Sequence, residues 1–232
     1  MPGCFKKIIF SLASALSFVS FLLIIIAMAT QKWMTGKTLC QTGVDLVNAS
    51  DPELVKFIGS IYYGLFQGGK VRQCGLGKRN FTFKIFPDLV KTLNTALHVI
   101  IILFLCAAIS FALISFGFCV YNALKVPYRS IKGPAGICLW NFIAGLFIVF
   151  AVTSFIAAVQ LHRLTERIAN FRENVFRIVI LEEQYEDSFW LCVASGATHA
   201  FNMLLMAVSA IRLPKFKTKT EEANVTAEDI MY

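Results

Sequence analysis

Charge is missing from four long stretches of this 232-residue chain. No Asp, Glu, Lys or Arg falls between Lys7 and Lys32, Lys91 and Lys125, Lys132 and Arg163, or Asp187 and Arg212. A helix rises about 1.5 Å per residue, so about 20 apolar residues match a hydrocarbon core about 30 Å thick. Each stretch is long enough to cross a bilayer, and four of them exclude an ordinary water-soluble fold. The groupings on which enzymes are built are missing too. The chain has no H-E-x-x-H, no C-x-x-C, no G-x-S-x-G and no Gly-rich phosphate loop opening a helix. His98, His162 and His199 make no i, i+4 pair for a metal. These gaps argue against a zinc hydrolase, a thiol oxidoreductase, a serine hydrolase and a nucleotide-binding enzyme. No catalytic residue, cofactor or metal is expected. The charge-free spans also lack the intramembrane ionisable groups that mark many ion and substrate pathways.

Hydrophobic residues make up 57% of the chain and charged residues 16%. Four spans account for most of that surplus. The net charge of +8 is scattered over loops and span flanks, without a basic stripe interleaved with aromatics, so nucleic acid is not an expected partner. The lipid bilayer is.

The runs place transmembrane helices at 8–29, 95–121, 135–160 and 188–211. Residues 1–7, 122–134 and 212–232 then share one side, and loops 30–94 and 161–187 share the other. The first run is longer than the apolar core of a signal peptide, about 7–15 residues, so it reads as a retained anchor. Lys6 and Lys7, then Lys125, Arg129 and Lys132, then Arg212, Lys215, Lys217 and Lys219 lie on the same side. Positive charge in short loops marks the cytosolic face, so both termini are expected in the cytosol of a multi-pass membrane protein.

The first loop is too structured in its pattern to be a linker. Phe81, Phe83 and Ile85 alternate with polar residues as in a strand. Lys37-Thr38-Leu39 and Ile61-Tyr62-Tyr63 also favour strands. Asp51-Pro52-Glu53 starts a helical turn, with Leu54, Phe57 and Ile58 on one face. Gly64, Gly68-Gly69, Gly75 and Gly77 read as turns. Cys40 and Cys74 are the only cysteines of this loop. In an oxidising exterior they pair as a disulfide. Asn48-Ala49-Ser50 and Asn80-Phe81-Thr82 are glycosylation sequons on the same side, whereas Asn224-Val225-Thr226 falls in the cytosolic tail.

In the second outer loop, Leu161, Leu164, Ile168, Phe171 and Val175 recur at helical spacing, which extends the third helix beyond the membrane. Residues 176–181 look strand-like and can add an edge to the outer sheet. Phe189-Trp190 reads as an interfacial anchor. Within the spans, Cys106, Cys119, Cys138 and Cys192 are small buried hydrophobes. The pairs Ser11 and Ala15, Ala108 and Ala112, and Gly196 and Ala200 allow close helix contacts. His199, Asn141 and Asn202 are the polar exceptions; His199 reads as an interhelical hydrogen bond, with a proton or ligand site as the alternative, and His98 reaches towards the interface. Cys4, beside Lys6 and Lys7, is a palmitoylation candidate. The tail lysines suit anionic lipid at about 1 kcal/mol each. The terminal Ile230-Met231-Tyr232 suits a PDZ groove, with Ile230 and Tyr232 as its alternate anchors.

Trp33, then Gly64-Leu65-Phe66, then Cys74 resembles the outer-loop signature of the claudin-like four-span superfamily. Phe66 replaces the usual Trp, and Gly69 stands where the first claudin cysteine would fall, so Cys40 has to partner Cys74. A closer resemblance is to the clarin family, nearest its second branch. It is carried by residues 39–43, 46–50, 63–66 and 71–77, by Phe86-Pro87-Asp88-Leu89, by Ile168-Ala169-Asn170 and by the last three residues. The resemblance implies an all-α transmembrane four-helix bundle with a small extracellular β-sheet. It also implies a plasma-membrane protein of sensory hair cells that maintains stereocilia and supports mechano-electrical transduction in hearing. The function expected is that of a non-enzymatic organiser or accessory subunit, meeting a membrane or extracellular protein through the first loop and a cytosolic scaffold through the tail. A claudin-like adhesion or barrier protein and a regulatory subunit of a channel remain the alternatives.

Overall fold

The computed structural model describes residues 2–48, 51–75, 77–86, 95–124 and 133–210. In chain order it contains α1 (Pro2–Ala29), β1 (Met34–Cys40), α2 (Gln41–Val47), a 3-10 turn (Asp51–Phe57), β2 (Ile58–Tyr63), β3 (Gln67–Gln73), β4 (Lys78–Lys84), α3 (Thr95–Leu124), α4 (Pro134–Gln160), α5 (Leu164–Ala169), β5 (Ile178–Tyr185) and α6 (Asp187–Ala210). Helices α1, α3, α4 and α6 are each long and apolar enough to span a membrane. Helices α1 and α4 both pack against α3 and α6, which closes a four-helix ring.

One seam per helix faces the ring interior. In α1 the seam passes through Phe10, Ala13, Ser17, Ser20, Ile24 and Ala27; in α3 the seam positions run from His98 through Ile101, Leu105, Ala108, Ala112 and Ser115 to Cys119. In α4 they are Ile137, Asn141, Ala144, Ile148, Ala151, Phe155 and Ala158; in α6, Ser188, Cys192, Ser195, His199, Asn202 and Met206. The steps alternate between three and four, the left-handed packing pattern of coiled coils and most membrane bundles. Much of the seam is Ala, Ser, Cys, Asn and His. Large aliphatic residues such as Leu103, Val149 and Leu204 instead face outward. Of the small-residue pairs, Ala108 and Ala112 lie in the seam. Ser11 and Ala15 do not: both are exposed, because the interior face of α1 passes through Ala13 and Ser17. Gly196 is half-buried, where a Cβ would sit 3.3 Å from Ile148, and Ala200 is exposed.

The remaining strands form one antiparallel sheet in the order β4-β3-β2-β1-β5. Both longer connecting segments, between α1 and α3 and between α4 and α6, contribute, because β5 follows α5 in the second of them. Strand β1 is therefore flanked by β2 on one side and β5 on the other, with Met34 opposite both Tyr63 and Tyr185. Two expectations change here. Gly68 and Gly69 lie inside β3, not in a turn. A Cβ on Gly68 would be 2.7 Å from Tyr63 Cβ and 2.8 Å from the Phe83 ring, so the strand carries glycine because neighbouring side chains occupy that space. The third membrane helix also stops at Gln160 rather than running on. Arg163 adopts a left-handed conformation (φ 47°), which turns the chain into the short α5, and Leu161 is left exposed. Val175 is exposed as well, so the apolar spacing there is not one helical face. Neither sheet edge invites further pairing. Strand β5 carries a register shift opposite Lys37/Thr38, with Glu182 and Glu183 beside it, and β4 presents Lys78, Arg79 and Lys84.

Bundle and sheet share a core. One cluster of buried side chains runs from Ile24, Leu105 and Ile148 through Trp33, Tyr63 and Phe155 to Phe83, Ile168 and Ile178. Trp33 sits at its centre and is fully buried. Its Nε1–H donates to the Ala27 carbonyl at 2.6 Å, one of the acceptors left open at the end of α1. Its ring packs on Phe155 and, edge-on, Phe189. Its backbone N–H donates to Tyr63 and its carbonyl accepts from Glu186, so Trp33 already belongs to the sheet. Phe189 is a core residue and not an interfacial anchor; the neighbouring Trp190 is 57% exposed and fills that role.

At the end of the sheet remote from the helices, Cys40 and Cys74 form a disulfide with Cα atoms 5.4 Å apart. The bridge reaches from the end of β1 to the residue after β3, over β2. Phe57, from the 3-10 turn, is buried against Gly43 and Gly75 beside it. With a sequence separation of 34, the closed loop is worth about 3–4 kcal/mol in the chain-entropy model. Cys40→Ser and Cys74→Ser should each lower the thermal unfolding of the sheet by that amount and cause retention before the cell surface, read by surface biotinylation. Normal surface delivery of both would show the bridge to be dispensable.

Candidate functional site

Of the motif residues, Trp33 and Gly64-Leu65-Phe66 meet where sheet and bundle join, whereas Cys74 lies at the far end of the sheet. Gly64 opens the turn between β2 and β3, its N–H donating to Gln67 at 2.9 Å. A Cβ there would lie 2.5 Å from the Thr30 carbonyl, so only glycine lets this turn sit against the end of α1. Leu65 is fully buried, and its carbonyl accepts from His98 Nε2 at 2.6 Å. His98 is thus a buried latch between α3 and the hairpin, not a side chain reaching the interface. Phe66 is 41% exposed where the superfamily places Trp. Tyr63, one step before, donates or accepts at Thr165 of α5 over 2.9 Å. Burial holds its phenol well above the ordinary value of 10.0.

Beneath the sheet lies a charged clamp that no motif announced. Lys70 on β3 is 7% exposed, and its Nζ donates to the carbonyls of Ala169 and Phe171 at 2.9 and 2.8 Å. It also pairs with Glu173 at 2.9 Å. The Glu173 side chain is 4% exposed and binds Arg72 as well. The Arg72 guanidinium lies 5.1 Å from the Phe81 ring and 4.9 Å from the Phe176 ring. Burial pushes the Lys70 ammonium below its ordinary value, and Glu173 partly restores it. The clamp fastens the segment between α4 and α6 to the strands of the segment between α1 and α3. Asn170 adds to it, its side chain both donating to and accepting from the Ile178 backbone. The sequence signal was a Lys inside a run of buried strand residues, which is hidden when Gly68-Gly69 is read as a turn.

Within the membrane a second polar cluster joins all four spans. Asn141 of α4 donates to the Ile137 carbonyl and to Ser115 of α3, and its Oδ1 accepts from His199 Nδ1 of α6 at 2.8 Å. His199 Nε2 therefore accepts from Ser20 of α1, also at 2.8 Å. Ser195 meets Ser20 at 2.7 Å, and Asn202 donates to Ser17 and to the Ala13 carbonyl. The three residues singled out for their polarity thus lie in one network, together with serines that were not. It separates the sheet-side apolar cluster from a second one made of Ile9, Phe10, Ala13, Cys119, Ile137 and Met206.

The other candidate residues lie apart. Asn48 is the left-handed residue closing α2, and Asn80 is exposed on edge strand β4. Cys4 falls in the first turns of α1. Ile230, Tyr232, the tail lysines and Asn224 lie outside the described residues, as do Lys125, Arg129 and Lys132. Among the described residues no group of three or more His, Cys, Asp or Glu side chains is placed to hold a metal.

Two tests follow from the clamp and from Tyr63. Glu173→Gln leaves two buried cations without their carboxylate and should cost about 3–5 kcal/mol, whereas Lys70→Met combined with Glu173→Leu should recover much of it. Thermal unfolding in detergent, read by tryptophan fluorescence, compares them. For Tyr63, a raised folded pKa means that its contribution is complete below the unfolded value of 10.0 and is lost as the pH climbs above it. Tyr63→Phe should cost about 1 kcal/mol at neutral pH, yet move alkaline unfolding of the protein to higher pH. An unchanged alkaline midpoint would remove Tyr63 from that role.

Sequence similarity to known proteins extends over the full chain. A family described as "Clarin-2: Clarin-2-like" matches residues 5–206. The chain is 62% identical to Clarin-2 of Mus musculus and to Clarin-2 of Homo sapiens, over 232 residues and the full length of both partners. Clarin-1 of Rattus norvegicus is 41% identical, again end to end. The chain belongs to the clarin family, in its Clarin-2-like branch, and is a multi-pass membrane protein of claudin-like fold.

Proposed function

We propose that this protein is a non-enzymatic organiser or accessory subunit in the plasma membrane of sensory hair cells, where it maintains stereocilia and supports mechano-electrical transduction. The hair-cell setting is what the clarin resemblance implies. The observation that carries the rest is the shared core around Trp33, which makes the sheet an extension of the bundle and not a tethered domain. A partner bound to the sheet then holds the position of four membrane helices. The sheet faces the exterior and both termini face the cytosol, in line with the basic short segments. Sugars at Asn48 and Asn80 would occupy one end and one edge of the sheet. The sheet face around Thr35, Lys37 and Ser60 remains for an extracellular or membrane partner. On the cytosolic side Cys4 carries an acyl chain, and Ile230 and Tyr232 enter a PDZ groove.

Rescue tests this reading. Hair cells lacking the endogenous protein, supplied with this chain, should regain transduction current and show the tagged chain in their bundles; Cys40→Ser should restore neither. A wild-type chain that reaches the bundle and leaves current and bundle shape unchanged would overturn the assignment.

A further inference from the structure

At the junction of sheet and bundle a concavity of about 550 Å³ opens between the end of α1 and the start of α6. Its walls carry one cation, Lys32, and one anion, Asp187, together with Tyr62 from the sheet and the apolar side chains of Ala29 and Leu191. The two charges sit on segments tied together by the Ser188 N–H, which donates to the Lys32 carbonyl at 3.0 Å. Both side chains are exposed, and among the described residues neither forms an ion pair, although they line the same hollow. The Tyr62 ring is held in place over Gly69, where a Cβ would come within 2.6 Å of its hydroxyl. The hollow lies where two spans end, and exposed Trp190, one turn into α6, marks the headgroup level.

Separated opposite charges beside apolar side chains match a ligand that is itself dipolar and carries hydrocarbon. We propose that this concavity binds the phosphocholine headgroup of a membrane lipid, its phosphate at Lys32 and its quaternary ammonium between Asp187 and the Tyr62 ring. An ammonium without N–H bonds is recognised by a carboxylate and an aromatic face together, and a lysine serves a phosphate as a point charge. The acyl chains leave past Leu191 along the lipid-facing side of α1 and α6. The site rests on the four helices spanning the membrane and is independent of any role in hair cells.

The test uses the full chain in nanodiscs and spin-labelled lipids, with the motionally restricted fraction giving relative association. The wild type should prefer phosphatidylcholine over phosphatidylglycerol by roughly tenfold, which corresponds to about 1.4 kcal/mol. Asp187→Asn should abolish the preference, Asp187→Lys should reverse it, and Lys32→Gln should weaken both lipids. Each variant is read only with an oxidised Cys40–Cys74 bridge and a wild-type melting transition. Should one fail to fold, the wild-type comparison decides alone. Equal association of the two lipids with the wild type, or an undiminished choline preference in folded Asp187→Lys, would overturn the proposal. So would glycerophosphocholine binding as tightly as the lipid, because the site would then belong to a soluble ligand.

Discussion

Lipid supplies no hydrophobic drive between helices, since a hydrocarbon tail is as apolar as a leucine. Helices in a bilayer associate through close packing and through hydrogen bonds that have no better partner. The inward seams of this bundle follow from that constraint. Alanine and cysteine let the backbones approach, and Ser17, Ser20, Ser115, Asn141, Ser195, His199 and Asn202 link the four spans at one level. A helix displaced by one residue would carry its polar member out to lipid and leave the others buried without partners. The layer therefore sets the relative heights of the helices as well as holding them together.

Those heights matter because the sheet is built on the helix ends. Trp33 gives its indole N–H to the last turn of α1 and its backbone to β2 and to the segment leading into α6. His98 does the equivalent for α3, and Thr30 meets Ser188 across 2.6 Å. The sheet is pinned on three helices at its base, closed by a disulfide at its far end and fastened from below by Lys70 and Glu173. Strand pairing alone would leave a five-stranded sheet with little core over a bilayer. Here the membrane helices supply the lower half of that core.

The four apolar helices were legible because a charge-free run of that length has few other meanings. The alternation of Phe81 and Phe83 likewise showed β4, which ends one residue before Ile85. What stayed hidden depended on partners distant in sequence. Lys70 is unremarkable until Ala169, Phe171 and Glu173 are brought beneath it. Gly68 and Gly69 carry a turn signal, yet Tyr63, Phe83 and Tyr62 occupy the room that side chains there would need. Ser11 and Ala15 have the spacing of a helix contact, but spacing does not say which face turns inward. In a span apolar on every side, only the burial of Ala13 and Ser17 answers that. The break after Gln160 was obscured for the same reason, because Leu161 and Val175 fit a helical period and are nevertheless exposed.

The position of β1 has a consequence for biosynthesis. One of its neighbours, β2, is made within the next thirty or so residues, but the other, β5, is translated only after three membrane helices are complete. Until then β1 carries a bare edge, and the Trp33 carbonyl waits for Glu186. A message truncated anywhere before β5 releases a chain with that seam unsealed. The nascent protein thus displays its own incompleteness to the quality-control machinery until almost its last span has emerged.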